Sequence, residues 1–430
     1  MGGGNEVTSR RKSVDVGNHT RRSRLHIYIL GFPKKSIKKN YIVMEEETRP
    51  KKRPRTVLAE TTSRKVTTGT NFQHIGTIRG HEHAISSIKF SHNGNFLCSG
   101  GADGKAIISD VNSCKVQRLL RATGSGISDV SWHSSNDYIS LATDAGASIW
   151  DVETGRLRVD LGKNQHIGAQ LCIDFNPQGN LTVTGALDGV ARLWDVRSGN
   201  CVMRLEAHSR RICAASFNFD GNRFVTSSFD GLCRVWDTLN GQCSTTIVSP
   251  SMGSKGVPAV SAARFSPNGQ YVLLSTLDSA IRLWDIDVGK CVKTYRGHAN
   301  KAYCAFSTFC ALNKVQVDGA GSEVDSAEGS GESGVSGQGG VEGTNSPQRI
   351  ADTCIVGGSE DGNVYVWDLQ SRELVQTLGA EGNAGGRARH LDMVLAVDSH
   401  PFLPIVASGS CAKDPTVRLW RNMQMQSDDT

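Results

Sequence analysis

The stretch 207–237, AHSRRICAASFNFDGNRFVTSSFDGLCRVWD, contains three short alternating runs, and a similar unit recurs along the chain. The runs ICAASF, RFVTSSF and LCRVW are separated by DGN and DG, which predicts short antiparallel strands joined by tight turns. Asp230-Gly231 is predicted to form a type I′ turn, which needs positive φ at both central positions. The repetition constrains the fold strongly, because one small sheet cannot bury its own faces.

The unit opens with Ala-His or Gly-His and closes with Trp-Asp, which resembles the WD40 repeat, four strands forming one propeller blade. From Phe72 onward the units close at positions 109, 150, 194, 236, 284, 367 and 420. The first closes with Ser109 in place of Trp, and the second has Ala122-Thr123 in place of Gly-His. One spacing, from 284 to 367, is about twice the others.

Composition explains the long spacing. Residues 317–348 hold nine glycines and six acidic residues but no aromatic residue, which is typical of a flexible linker. An insert at about 313–350 therefore interrupts one blade and does not hide another. The predicted fold class is all-β, a seven-bladed WD40 β-propeller over 72–421, followed by a C-terminal tail at 422–430.

A ring of blades leaves only short, protected sheet edges, but it has to be closed. The segment HIGTIR near residue 75 is predicted to pair as the outer strand of the blade that contains TVRLW. His81, His208 and His298 occupy WD40 positions. We expect each to be a buried structural residue, bonded toward a turn Asp together with the Ser/Thr and Trp of its blade.

Charge divides the chain into an arm and a body. Residues 1–70 carry 17 Lys/Arg and 6 Asp/Glu, a net charge of +11, whereas the other 360 residues carry 31 and 36, a net charge of −5. Residues 1–71 are predicted to be a disordered basic arm. Within it, a dense cluster resembles a nuclear-localisation signal: Lys51, Lys52, Arg53 and Arg55. Met44 would make a natural start, so 1–43 are interpreted as an extension, with a targeting peptide as the alternative.

The sequence offers no constellation for catalysis. The twelve cysteines form no CxxC pair and are interpreted as reduced thiols. The GSGESG run at 329–334 matches a dinucleotide-binding pattern, but it follows no strand and opens no helix. No apolar run is long enough for a membrane helix. We therefore expect a binding protein rather than an enzyme, with no metal or cofactor and no sequence-specific nucleic-acid binding.

Several segments narrow the resemblance: SFDGLCRVWDTLNGQC, LDSAIRLWD, GKCVKTYRGHANKAYCAF and GSEDGNVYVWDLQSRELVQTL. Over about residues 72–421, excluding the insert, the chain resembles the WD-repeat scaffold subunits of COMPASS/MLL-type histone H3 lysine-4 methyltransferase complexes (the WD repeat-containing protein five family). The resemblance implies a central channel that takes an arginine from the histone H3 tail or from the methyltransferase. A guanidinium suits such a channel because it stacks on aromatic faces while its N–H groups meet carbonyls.

Carried over position by position, the resemblance implies these arginine-channel residues: Ala84, Ser86, Ala102, Gly126, Ser128, Asp129, Asp144, Leu171, Cys172, Cys213, Phe229, Ser261, Leu277, Tyr303, Cys304 and Phe306. The family places the arginine between two phenylalanines, of which Phe306 supplies one and Leu171 replaces the other. Phe229 stands in place of a tyrosine, and Leu187 and Ala262 replace aromatic residues at the rim. These departures bear on affinity more than on the identity of the site.

The resemblance also implies a second partner face on the opposite side, which takes a hydrophobic-acidic segment of another subunit: Asn268, Tyr271, Leu283, Lys293, Phe309 and Gln370. The insert begins beside this face and is predicted to tune or shield it. Ser346, followed by a proline, is a candidate phosphorylation site in the insert.

Together these features predict a nuclear, non-catalytic scaffold that is a monomeric propeller within a hetero-complex. Its expected partners are a SET-domain methyltransferase subunit, other COMPASS-type subunits and the histone H3 tail, with no membrane contact. The alternative is a substrate receptor of a cullin-type ubiquitin ligase, suggested by the WDxR pattern at 194–197. Co-purification with a methyltransferase or with a ligase adaptor would distinguish the two.

Overall fold

The fold is taken from a computed structural model, which describes residues 70–122, 126–162, 168–250, 256–313, 353–379 and 388–423. All regular elements within these ranges are β-strands, arranged as seven antiparallel four-stranded sheets. None of the described residues form a helix that is long and apolar enough to cross a membrane. The basic cluster at 51–55, the GSGESG run and Ser346 lie outside the described residues.

Each sheet is one blade, and its strands follow one another in the chain from the inner to the outer edge. Blades 1 and 2 consist of β2 (Ile85–Phe90), β3 (Phe96–Gly101), β4 (Lys105–Asp110), β5 (Val116–Arg121), β6 (Ile127–Trp132), β7 (Tyr138–Thr143), β8 (Gly146–Asp151) and β9 (Leu157–Leu161). Blades 3 and 4 consist of β10 (Gln170–Phe175), β11 (Leu181–Ala186), β12 (Ala191–Asp195), β13 (Cys201–Leu205), β14 (Ile212–Phe217), β15 (Arg223–Ser228), β16 (Leu232–Asp237) and β17 (Cys243–Val248).

The remaining blades differ in two places from this simple order. Blades 5 and 6 consist of β18 (Val260–Phe265), β19 (Tyr271–Thr276), β20 (Ala280–Asp285), β21 (Lys290–Tyr295), β22 (Ser307–Ala311), β23 (Thr353–Gly358), β24 (Val364–Asp368) and β25 (Leu374–Leu378). Blade 7 combines β26 (Val394–Ser399), β27 (Ile405–Ser410) and β28 (Val417–Asn422) with β1 (Phe72–Ile78). The chain between Ala311 and Thr353, which contains the insert, joins the first two strands of blade 6.

The predicted closure of the ring is confirmed. β1 pairs antiparallel with β28, in a register that runs from Phe72 opposite Asn422 to Ile78 opposite Val417. Phe72 and Ile78 are both 3% exposed and pack into two different core clusters. The two ends of the described chain therefore share one sheet, and their pairing completes blade 7.

Apolar faces pack between neighbouring blades, which makes the seven-bladed propeller a closed ring. The inner strands contact one another in the order β2, β6, β10, β14, β18, β22 and β26, and β26 contacts β2. One such core joins Val183 and Leu193 of blade 3 to Ile212 and Phe224 of blade 4. The predicted all-β, seven-bladed architecture is confirmed.

The turn that joins β15 to β16 differs from the prediction. It contains three residues, of which Gly231 alone has a positive φ, 84°. The type I′ assignment of Asp230-Gly231 is therefore wrong. The carboxylate of Asp230 accepts hydrogen bonds from the amides of Ser209 (3.2 Å) and Leu232 (3.0 Å), which fixes Asp230 in a conformation with negative φ.

The structural role of the histidines is confirmed for His81 and His208. His208 Nδ1 lies 3.0 Å from Asp230 Oδ2, and its Nε2 lies 2.8 Å from Thr226 Oγ1, which also accepts a bond from Trp236 Nε1 at 2.9 Å. His81 contacts Asp103 and Ser99 in the same way.

Blade 6 lacks the expected network, so His298 is buried as predicted but its predicted hydrogen bonds are wrong. His298 is 5% exposed, and neither ring nitrogen has a hydrogen-bond partner among the described residues. Gly357 stands on β23 where the other networks have a hydroxyl, and Asp361 accepts a bond from the Tyr365 hydroxyl (2.7 Å) instead. His298 packs edge-on against Trp367, with ring centroids 5.3 Å apart.

Candidate functional site

Five of the predicted channel residues share one structural position. The pairing of the inner strand with the second strand skips one residue in six blades, which is the mark of a β-bulge. Bulges change the direction of a side chain, and they occur frequently next to binding sites. The skipped residues, which we call the bulge ring, are Ser86, Ser128, Leu171, Cys213, Ser261 and Leu395.

A second ring of residues lies just beyond the C-terminal end of the second strand of five blades. Each donates its backbone N–H to the residue that precedes the inner strand of the same blade, as in Phe229 to Arg211 (3.2 Å) and Leu277 to Ala259 (3.0 Å). This rim ring consists of Ala102, Leu187, Phe229, Leu277 and Cys411. The repeated backbone bond fixes these side chains at the same end of their blades as the start of the inner strands.

Side chains from blades that are not neighbours meet around the propeller axis. Cys213 and Phe229 of blade 4 form one apolar cluster with Cys304, which precedes the inner strand of blade 6, and Leu277 packs against them. Ala84, Ala102 and Tyr303 belong to a second cluster, with Leu395 and Cys411 of blade 7. The predicted channel residues of blades 1, 4, 5 and 6 are thus brought together around a narrow centre.

A small polar cavity lies deeper along the axis. Phe306 lines it together with Asp129 of blade 2, Asp174 of blade 3 and Arg264 of blade 5. The guanidinium of Arg264 donates to Asp398 (2.7 Å) and to Thr308 (2.5 Å), and so bridges blades 5, 6 and 7. An aromatic face and a set of paired charges therefore occupy the inner end of the channel.

Asp129 is held by its surroundings rather than open to a ligand. Its carboxylate accepts bonds from the Ser87 hydroxyl (2.6 Å), the Val130 amide (2.9 Å) and the Ile173 amide (3.1 Å), which join blades 1, 2 and 3. Burial raises its pKa, against the opposing effects of Lys89 and of these bonds. Burial also raises the pKa of Asp144, which is half-buried in the turn after β7.

The cysteines around the channel are not activated. Burial raises the pKa of Cys213 well above its ordinary value, and a hydrogen bond to the Cys304 thiol adds to the effect. Burial likewise raises the pKa of Cys172, which lies in the core between blades 3 and 4 rather than on the channel wall. Thiols of this kind are poor nucleophiles, because the thiolate is the reactive form.

The other channel residues take the following places. Ser86 donates to the carbonyl oxygen of Ile127 (2.5 Å) and ties blade 1 to blade 2. Gly126 lies against the backbone of Ala102. A Cβ atom added to Gly126 would lie 3.4 Å from the Cα atom of Ala102. Ser261 is fully buried and donates to Ser275 O (3.1 Å), whereas Leu171 and Ser128 are half-buried.

The predicted second face lies at the junction of blades 5 and 6. Leu283, Phe309 and Tyr271 pack in one apolar cluster. Lys293 Nζ donates to Gln370 Oε1 (2.7 Å) and to Leu369 O (2.9 Å), and burial lowers the pKa of Lys293. The residues of the rim ring follow the second strands of their blades, as Leu277 follows β19. Asn268 of the second face is exposed and precedes β19. The rim ring and the second face therefore lie at opposite ends of the blades.

Sequence reasoning missed three residues of the channel. Leu395 and Cys411 occupy the bulge and rim positions of blade 7, and aligning VLAVDS with the other inner strands would have found Leu395. Arg211 is the third, and its guanidinium carbon lies 3.7 Å from the centroid of the Phe229 ring. A sequence pattern alone gives no signal for that contact.

Two alternative features receive structural explanations. In the WDxR pattern, Asp195 accepts the Ser198 amide (2.7 Å), a bond that Asp110 and Asp151 repeat in their own turns with Ser113 and Thr154. The pattern is therefore largely the ordinary end of a blade.

Among the described residues, no three His, Cys, Asp or Glu side chains group closely enough to hold a metal ion.

Comparison with known proteins is consistent with this architecture. Residues 72–110, 162–195, 199–237, 241–285 and 387–421 match the family described as WD domain, G-beta repeat (WD40). Pre-mRNA-processing factor 19 of Bos taurus is 25% identical over 138 residues, which are 32% of this chain and 27% of that protein. Protein tipD of Dictyostelium discoideum is 36% identical over 124 residues, which are 28% of this chain and 20% of that protein.

The chain thus spans between about a fifth and about a quarter of the length of these curated relatives. The matched segments fall in blades 1, 3, 4, 5 and 7, and the sheet order extends the same four-stranded unit to blades 2 and 6. This protein is a seven-bladed β-propeller, and five of its blades contain segments that match WD40 repeats.

Proposed function

We propose that this protein is a non-catalytic scaffold subunit of a nuclear histone H3 lysine-4 methyltransferase complex. Its central channel binds an arginine of a histone or methyltransferase peptide, and its second face binds another subunit. A WD40 propeller is generally a protein-interaction scaffold, which is the coarser function that the repeats themselves indicate. The finer assignment rests on the two sites.

The observation that carries the proposal is the bulge ring. The residues that the resemblance assigns to the channel, Ser86, Ser128, Leu171, Cys213 and Ser261, are the bulged residues of five successive blades. Because the blades repeat one four-stranded unit, these residues occupy equivalent places around the axis. Their coincidence supports a binding site that is built by the same backbone irregularity in each blade.

The chemistry of the channel suits a guanidinium. Phe306 is half-buried and offers one aromatic face, and its N–H and C=O are fixed by Leu395 O (2.9 Å) and the Gly358 amide (3.2 Å). Asp129 and Asp174 line the same cavity together with Lys89 and Arg264, so its charges are balanced and the aromatic face of Phe306 is the feature that suits a guanidinium. Stacking on an aromatic face is worth about 2 kcal/mol when the cation is desolvated.

The second face supports a scaffold because it can be occupied at the same time as the channel. Tyr271, Leu283 and Phe309 form its apolar part, and Lys293 supplies a positive charge beside them. An apolar-acidic segment would complement both features. The insert begins shortly after Ala311, which lies two residues from Phe309. We propose that the insert tunes or shields this face, and its own residues lie outside the described ranges.

The direct test compares an arginine peptide with the same peptide carrying lysine. The dissociation constants of both for the full-length protein are measured by isothermal titration calorimetry. We expect the lysine peptide to bind about tenfold more weakly, because lysine has no planar face to stack on Phe306. Equal binding of the two peptides would refute the channel assignment.

The partner assignment has its own test. The protein is purified from nuclear extract and its partners are identified. Recovery of SET-domain methyltransferase subunits is expected, and recovery of a ubiquitin-ligase adaptor without a methyltransferase would refute the proposed complex. One of the relatives is named for pre-mRNA processing, so recovery of pre-mRNA-processing subunits is the third outcome. That outcome would also contradict the proposed methyltransferase complex.

A further inference from the structure

Arg211 lies at the mouth of the channel and stacks on its aromatic wall. Its Cζ is 3.7 Å from the centroid of the Phe229 ring, and its carbonyl oxygen accepts the Phe229 amide at 3.2 Å. Phe229 packs in turn against Cys213 and Cys304 inside the channel. One face of the guanidinium is therefore covered, and its position is tied to the channel wall through both backbone and side chain.

The N–H edge of this guanidinium is open. The structure shows no carboxylate or carbonyl oxygen bonded to the Arg211 side chain within the described residues. Every other buried or half-buried arginine there has an oxygen partner: Arg192 with Asp188, Arg223 with Asp287, Arg234 with Ala207 O, Arg264 with Asp398, Arg282 with Asp278, and Arg418 with Asp414. Among the arginines that the structure describes, Arg211 is thus the exception to the pairing of partly buried guanidinium groups.

Stacking satisfies the face of a guanidinium but not its five donors, which lie in the plane of the group. A planar carboxylate matches those donors with two parallel bonds. Arg210, which precedes it in the chain, is exposed and adds positive charge to this part of the rim. A carboxylate that a ligand brings to the mouth beside its arginine would be attracted to this charge.

We propose that Arg211 makes the channel selective for peptides in which an acidic residue neighbours the inserted arginine. The ligand arginine enters toward Phe306, and the adjacent carboxylate takes the open edge of Arg211. This inference rests on the proposed arginine channel and adds the chemistry of the residue beside the arginine. Arg211 acts as a specificity-determining residue of the binding site.

The test uses two pairs of short arginine peptides, each pair differing only by Asp against Asn, one residue before or one residue after the arginine. Dissociation constants are measured for the wild-type protein, Arg211→Gln and the exposed neighbour control Arg210→Gln. We expect wild type and Arg210→Gln to prefer Asp by about tenfold in at least one pair, as for a charge-assisted bidentate bond. In Arg211→Gln this preference should fall below about twofold.

The outcomes separate this inference from the proposed function. If all four peptides bind wild type equally well, the arginine channel stands and the role of Arg211 is overturned. If the preference for Asp persists in Arg211→Gln, the role of Arg211 is likewise overturned. If no arginine peptide binds wild type, both proposals fail together. Circular dichroism checks that each variant is folded. Arg211→Lys, which keeps the charge without the planar guanidinium, is the second variant, and its preference for Asp over Asn should also be reduced.

Discussion

At the scale of single residues, the hydroxyl that faces each WD40 histidine decides whether the polar network of a blade is complete. In blade 7, whose histidine was not assigned from the sequence, Ser408 Oγ lies 2.9 Å from His390 Nε2 and accepts Trp420 Nε1 at 2.9 Å. In blade 6, Gly357 offers no hydroxyl, and the indole of Trp367 donates to Arg296 O instead. A buried polar group without a partner costs about 1–3 kcal/mol, so the unpaired ring of His298 is a cost to the stability of blade 6.

Restoring the hydroxyl should stabilise the propeller. A Cβ at Gly357 would lie 2.8 Å from Ile281 Cδ1, so Ile281→Val is introduced to remove that methyl group. In this background Gly357→Ser is expected to be more stable than Gly357→Ala by about 1 kcal/mol, because only serine bonds to His298. Urea denaturation measures the difference. If the alanine variant is equally stable, the missing hydroxyl is not what leaves His298 unpaired.

His298 should also make stability depend on pH. Burial lowers its pKa to about 4, so the folded protein keeps the ring neutral where the unfolded chain, with a pKa near 6.5, binds a proton. The free energy of unfolding is therefore highest above pH 6.5, where the ring is neutral in both states. It falls as the pH drops toward 4, by about 2 kcal/mol at pH 5, because only the unfolded chain binds the proton. His298→Gln should lose correspondingly less stability between pH 7 and pH 5 in urea denaturation. An equal loss in both proteins would show that the pH dependence does not come from His298.

Asp103 and Asp230, the carboxylates that face two of the structural histidines, respond at lower pH than His298. Burial raises the pKa of Asp103 and of Asp230, but the bonds from their histidines and from backbone amides outweigh it and hold both pKa values at about 2. The stabilisation from these carboxylates is present above pH 4 and is lost only below it. These two carboxylates therefore contribute little to the change in stability between pH 7 and pH 5.

At the scale of strands, neighbouring blades are joined through the inner strands by carboxylates as well as by apolar packing. Asp174 accepts the Phe217 amide (2.9 Å), which ties blade 3 to blade 4, and Asp398 accepts the Phe90 amide (2.9 Å), which ties blade 7 to blade 1. Asp129 does the same between blades 2 and 3. These contacts hold the inner strands of neighbouring blades in fixed positions relative to one another.

The strand that closes the ring is the element whose loss should matter most. A chain that begins at Gly80 lacks β1, whereas a control chain that begins at Thr70 keeps it. Burial of Phe72 and Ile78 stabilises the fold by about 2 kcal/mol each, so the shorter chain should be less stable by about 4 kcal/mol or more. Thermal unfolding of the two chains checks this, and equal midpoints would show that closure through β1 is unimportant.

At the scale of the whole molecule, the ring places two different surfaces at the two ends of its blades. The channel and rim lie where inner strands begin, and the second face lies by the loop that precedes β19. A rigid ring can hold two partners in a fixed relation without changing shape. This arrangement accounts for a scaffold without requiring any reactive group in the protein.

Much of this organisation could be predicted from the sequence, because each blade repeats local signals. Alternation and turn residues indicated the strands, the spacing of the closing positions indicated seven blades, and composition identified the insert. Exceptions could not be predicted, because they arise from contacts between distant residues. His298 has the expected sequence position, but its ring has no hydrogen-bond partner within the described ranges. The residues responsible, Gly357 and Tyr365, lie more than fifty residues away in the sequence, so a local pattern does not reveal them. The stacking of Arg211 on Phe229 is of the same kind.

The most direct test of the central claim is the affinity of one arginine peptide for Phe306→Ala. Phe219→Ala is the matched control, since Phe219 is 63% exposed and follows the end of β14 opposite the channel mouth. We predict that Phe306→Ala weakens binding at least about fivefold, the equivalent of a lost aromatic stack, and that Phe219→Ala leaves it unchanged. An unchanged dissociation constant for Phe306→Ala would contradict an arginine-binding channel in this propeller.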